Sequence, residues 1–116
     1  MATKKFKLTK EQIKDLARGR GGCIATDRIT VDGFRVGYMV REEPDNPTDS
    51  GWVFLSGEES QAYLDDADNM GVYDVNTIAN YDPDIIEYLD SPSGSAFGRE
   101  RGGKFERESM PGDSDA

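Results

Sequence analysis

The 116-residue chain contains no histidine and a single cysteine. Without histidine it lacks the commonest general base, the Ser/His and Cys/His nucleophilic arrangements, and any His-containing zinc site. Enzyme chemistry would therefore fall to carboxylates, Lys, Tyr or Cys23. One cysteine forms no internal disulfide and no zinc site by itself, which suits a reducing compartment. Cys23 lies just before Ile24-Ala25 at an expected strand start, where a small buried thiol is the ordinary reading and a reactive one the exception. Long apolar runs are missing too. Nothing approaches the roughly 18 residues of a membrane span, and the start "MATKKFKLTKEQ" has no apolar h-region. The expected setting is the cytoplasm, with no membrane partner.

Basic residues are absent from one long block. Residues 42–90 hold fourteen Asp/Glu and no Lys/Arg, whereas residues 1–41 hold ten Lys/Arg against four Asp/Glu, and the whole chain is at -9. A block of one sign creates a negative potential that disfavours nucleic acid and attracts cationic groups. It reads either as a solvated face complementing the basic N-terminal part or as a docking surface for a basic partner. With 35% hydrophobic residues and a mean hydropathy of -0.71, one core with wide polar margins is expected. No internal repeat is visible.

The N-terminal pattern predicts a helix: Thr9 and Gln12 match a capping box, Leu8 and Ile13 a hydrophobic staple, and Ile13, Leu16 and Ala17 an apolar stripe ending near Gly19. "RGRGG" then reads as a hinge. It is not a phosphate loop, because Gly22 is followed by Cys23 rather than Lys-Ser/Thr. "ITVDGFRVGYMV" predicts a hairpin turning at Asp32-Gly33, with Ile29, Val31, Phe34, Val36, Tyr38 and Val40 on one face and Thr30, Arg35, Met39 and Arg41 on the other. "EEPDNPTDSG" is a loop.

"WVFLS" is apolar at every position but the last, so it predicts an inner strand with Trp52 mostly buried near Phe54, Val36 and Tyr38. The lone indole N–H still needs an acceptor. Ser56 and Glu59 form a second capping-box pattern before a short helix through Tyr63 and Leu64. "LDDADNMG" reads as a loop, "VYDV" as a strand and "NTIANY" as a turn or one helical turn. Asp82-Pro83 looks like a cap with proline at the first helical position of "DIIEYL", and "SAF" like a further strand.

These elements give an α+β fold, a single small domain whose antiparallel β-sheet is packed by helices. Residues 1–21 form the N-terminal helix and Gly-rich hinge, 22–108 the α+β domain, and 109–116 a disordered tail. No cofactor is expected. EF-hand registers starting at Asp45 or Asp66 both fail, which leaves at most a weak cation site in "DDADN" against an ordinary loop.

The segment "YDVNTIANYDPDI" is dense in polar and aromatic groups. Asn76, Asn80 and Asp82 read as adjacent caps and turns holding an irregular crossing. The alternative is a recognition surface in which Tyr73, Asp74, Asn76, Tyr81 and Asp82 join Glu42, Glu43 and Asp49 to meet a basic protein.

Three stretches, "VGYM.REEP", "DSGW.F.SG.E" and "YDVNTIANYDP", lie in a region of about residues 22–98 that resembles the bacterial immunity protein thirty-three family, long classed as a domain of unknown function. The resemblance implies a small α+β domain that neutralises a toxin, and it transfers no catalytic or binding residues. It makes the leading expectation a non-enzymatic binding protein that occludes a basic toxin domain through an acidic surface. The alternatives are a regulatory or structural adaptor with another protein partner, and a carboxylate-based hydrolase, which would need a concave pocket with converging acids of separated pKa.

Overall fold

The computed structural model describes residues 4–44, 46–100 and 102–108; the expected disordered tail at 109–116 lies outside them. The strands are β1 (Gly22–Thr26), β2 (Tyr38–Arg41), β3 (Asp49–Leu55), β4 (Met70–Asp74), β5 (Ala96–Gly98) and β6 (Glu106–Glu108), and the α-helices α1 (Asp27–Thr30), α2 (Gln61–Leu64) and α3 (Val75–Tyr81). Single 3-10 segments occur at Lys10–Gln12, Ala67–Asn69 and Pro83–Tyr88. All six strands join one sheet in the order β4-β1-β3-β2-β5-β6. Only β1 and β3 run parallel, so the α+β fold carries a mixed, mostly antiparallel sheet. A parallel pair needs a crossover, and the chain between β1 and β3 supplies it through α1 and β2.

Register explains the core. Ala25, Phe54, Met39 and Phe97 pair across β1, β3, β2 and β5 in one row, and all four are buried. Because successive strand residues alternate faces, Cys23 and Trp52 share this inner face with them. Ile29 from α1, Val75, Ile78 and Ala79 from α3, and Ile85 and Leu89 beyond it, close over that face. Trp52 is 2% exposed, lies parallel to Phe54 at 5.8 Å, and donates its indole N–H to the Leu89 carbonyl at 3.3 Å. The expected burial and the expected need for an acceptor are thus met together, and β3 is flanked by strands on both sides.

Asp32-Gly33 does not turn a hairpin. Thr26 starts α1 instead, and Gly33, at φ +80°, ends it. The Gly33 N–H reaches Ile29 O (3.1 Å) and the Phe34 N–H reaches Arg28 O (2.9 Å), the glycine-terminated end common to helices. Both structures ask for positive φ at the same residue, so the dipeptide alone does not distinguish them. The expected face is also rearranged. Ile29 is buried on a helix, Phe34 is exposed, and in β2 it is Met39, assigned to the outer side, that enters the core.

The N-terminal helix is likewise reduced to one 3-10 turn, in which Gln12 accepts from the Thr9 N–H at 2.7 Å. Downstream, side-chain carbonyls of Asn80 and Asn76 take the amides of Lys14, Leu16 and Ala17 that a helix would have used internally. The Ser56/Glu59 pair folds into its own turn: the Glu59 carboxylate accepts the N–H groups of Ser56 and Gly57. The cap of α2 is Ser60, four residues later. Asp82-Pro83 behaves as expected, with Asp82 accepting from the Asp84 N–H at the start of a helical segment of 3-10 type. β6 has no apolar alternation and went unanticipated.

Candidate functional site

The strand directions bring one end of four neighbouring strands together: the last residues of β4 and β2 and the first of β1 and β3. Asp74 pairs with Gly22, and Gly22 with Asp49. Just past β2, the Glu42 N–H donates to Gly51 O at 2.8 Å. Gly51 permits this approach because it adopts φ +85° and because a Cβ there would sit 2.1 Å from the Glu42 carbonyl oxygen. Glu42, Glu43 and Asp74 are exposed, while Asp49 is half-buried and accepts the Gly51 N–H at 2.9 Å. The Cys23 thiol senses the cluster: burial pushes its pKa up, and the charges of Asp74 and Asp49 add to the shift.

Cations near this end are already engaged. Arg41 donates to the carbonyls of Ser50 (2.9 Å) and Ser91 (2.8 Å) and sits over the Trp52 ring. Arg20 pairs with Asp90 and holds that exposed carboxyl below its usual range. An edge with an excess of acids raises the local concentration of cations and orients an approaching basic surface.

The other four candidates lie elsewhere and serve the framework. Tyr73 shares the inner face with its partner Cys23, meets Phe6 edge-on at 5.8 Å, and places its hydroxyl 3.3 Å from Thr30 Oγ1. Tyr81 donates its O–H to Thr30 O (2.9 Å) and accepts from the Leu8 N–H (3.1 Å). Asn76, 4% exposed, accepts from the Leu16 and Ala17 amides and donates to Lys14 O. Asp82 is fully buried and accepts from the Val36 and Asp84 amides and from Arg35 and Arg99. Side chains so enclosed offer a partner no surface, which corrects the inclusion of Asn76 and Asp82 in a recognition patch. Their other reading, as caps holding a crossing, describes them. Asp74 does both, capping α3 through the Asn76 N–H while remaining exposed.

At the opposite end of the sheet lies a cleft of about 670 Å³, walled by residues 34–37 and 56–58, Asp84, and the turn between β5 and β6. Sequence reasoning missed it, although the glycines at 37, 57, 102 and 103 that line it were a usable signal. Its lining acids are Glu58, Asp84 and Glu100, and Asp84 shares Arg99 with the buried Asp82 behind the wall. The Arg99 pairing ties β5 to the start of the Pro83–Tyr88 segment. In "DDADN", Asp66 caps the Ala67–Asn69 turn and Asp65 accepts from Gln61. Among the described residues no three Cys, Asp or Glu side chains are grouped to hold a metal.

Fold and surface together define a small α+β domain with an acidic sheet end. The family model for the immunity protein Imm33 domain matches residues 23–109, most of the chain, and the chain belongs to that family. The match bears out the resemblance and extends past it to take in β6. Membership gives the chain an immunity-type role, with a toxin as the general kind of protein partner. No curated protein and no solved structure matches it.

Proposed function

We propose that the protein neutralises a toxin by occlusion, without catalysis of its own, and that it receives a basic face of that toxin on the acidic end of its sheet. The observation that carries this reading is the cross-strand register, which gathers Asp74 and Asp49 beside Glu42 and Glu43 from separate parts of the sequence. Opposite potentials accelerate encounter and fix orientation, while the contact itself covers the toxin's working surface.

Affinity capture with the full chain at low and moderate salt, followed by mass spectrometry, tests the reading. Stoichiometric recovery of a basic toxin domain whose yield falls with salt supports it. Recovery of a complex unrelated to toxins favours the adaptor reading instead.

A further inference from the structure

The outer face of the sheet carries a second row of paired residues. Val72 of β4 pairs with Ile24 of β1, Ile24 with Val53 of β3, and Val53 with Val40 of β2. Helices pack on the other face, against Cys23, Ala25, Trp52 and Phe54. Along the outer row burial falls steadily toward the β4 edge: Val40 is buried, Val53 half-buried, Ile24 39% exposed and Val72 78% exposed. Among the described residues five large apolar side chains are exposed, and Ile24 and Val72 are the two that sit directly opposite one another. Two β-branched residues exposed opposite one another carry the apolar row out to the sheet edge, and covering them with apolar surface would be favourable.

What covers it is indicated by charge. Asp74 lies two residues beyond Val72 on the same strand, and Asp49 stands across Gly22 from Asp74, so the apolar row is bordered by acids. An apolar centre with a charged margin is the usual anatomy of a protein interface. A second copy of the chain is a poor occupant, because each copy brings a net charge of -9 and the same acidic border. We propose that the sheet face at β4-β1-β3, centred on Val72, Ile24 and Val53 and bordered by Asp74 and Asp49, docks a toxin through an apolar patch that is itself edged by Lys and Arg. This rests on the immunity reading above and adds to it the contact that holds the complex once charge has steered it.

The test is binding of the full chain to the toxin domain recovered by the affinity capture above, made inactive by substitution, at about 50 and about 500 mM salt, a range over which screening of exposed charges changes severalfold. Val72→Gln and the double variant Val72→Gln/Ile24→Thr are neutral and lie on exposed positions, and their thermal midpoints check the fold. Each is expected to raise Kd at both salt concentrations, by about tenfold for the double variant, mainly through faster dissociation. Wild-type Kd for both variants, with Glu42→Lys/Glu43→Lys still slowing association, would overturn the sheet-face contact and leave the acidic-end reading standing. Wild-type behaviour of all three would remove both.

Discussion

Arg99 and Asp82, seventeen residues apart, form an ion pair in the interior, the guanidinium 8% exposed and the carboxylate fully enclosed. Arg99 also donates to the Val36 carbonyl at 2.9 Å, pairs with Asp84, and lies over the Phe105 ring at 4.1 Å. One side chain thus ties β5 to the segment entering β2, to the start of the Pro83–Tyr88 helix, and to the approach to β6.

Removing one partner leaves the other enclosed charge with a single, more exposed counter-ion, Arg35 for Asp82 or Asp84 for Arg99. Asp82→Ala, and separately Arg99→Ala, should each destabilise the fold by about 3–5 kcal/mol, read as a lower denaturation midpoint with an unchanged slope. The double variant should cost less than the sum of the two, because the second change removes a charge whose pairing the first has already weakened.

Asn76 holds the N-terminal segment to α3 through three hydrogen bonds to backbone groups of residues 14, 16 and 17. Asn76→Ala should cost about 1–3 kcal/mol, since buried amides lose their acceptor. Hydrogen exchange should quicken at Leu16 and Ala17 while the amides of β3 keep their protection.

Glu59 supplies a pH dependence. Burial alone would raise its carboxyl, but hydrogen bonds from Thr26 and from backbone amides outweigh burial and hold its pKa below the ordinary value. A depressed folded-state pKa means stability that is present above the unfolded value, about 4.3, and is lost as pH falls through the lower folded one. Glu59→Gln should therefore be less stable than wild type near neutral pH, and the difference should shrink below about pH 4. Urea unfolding across that range measures it.

Much of this architecture was legible residue by residue, and the failures have physical causes. Trp52 and Phe54 on one alternation, and Asp82-Pro83 as a cap, are local signals that the tertiary fold left intact. Asp32-Gly33 failed because a helix end and a hairpin turn demand the same positive φ. The helix expected after Thr9 failed because Asn76 and Asn80, 59 to 66 residues away, satisfy its backbone amides in another conformation. For the site, the acidic block was visible, but its gathering was not. Asp49 and Asp74 become neighbours through Gly22 by the parallel pairing of β1 with β3, which no local pattern announces. The same pairing aligns Ile24 with Val53 and so creates the outer apolar row.

The measurement closest to the central claim is the association rate of the toxin domain with Glu42→Lys/Glu43→Lys at low and high salt. Both positions are exposed, whereas reversal at Asp49 would also disturb the hydrogen bond to Gly51. If the acidic sheet end steers a basic toxin, association should slow by on the order of tenfold at low salt and its salt dependence should flatten. Unchanged rates at both salt concentrations would contradict the account.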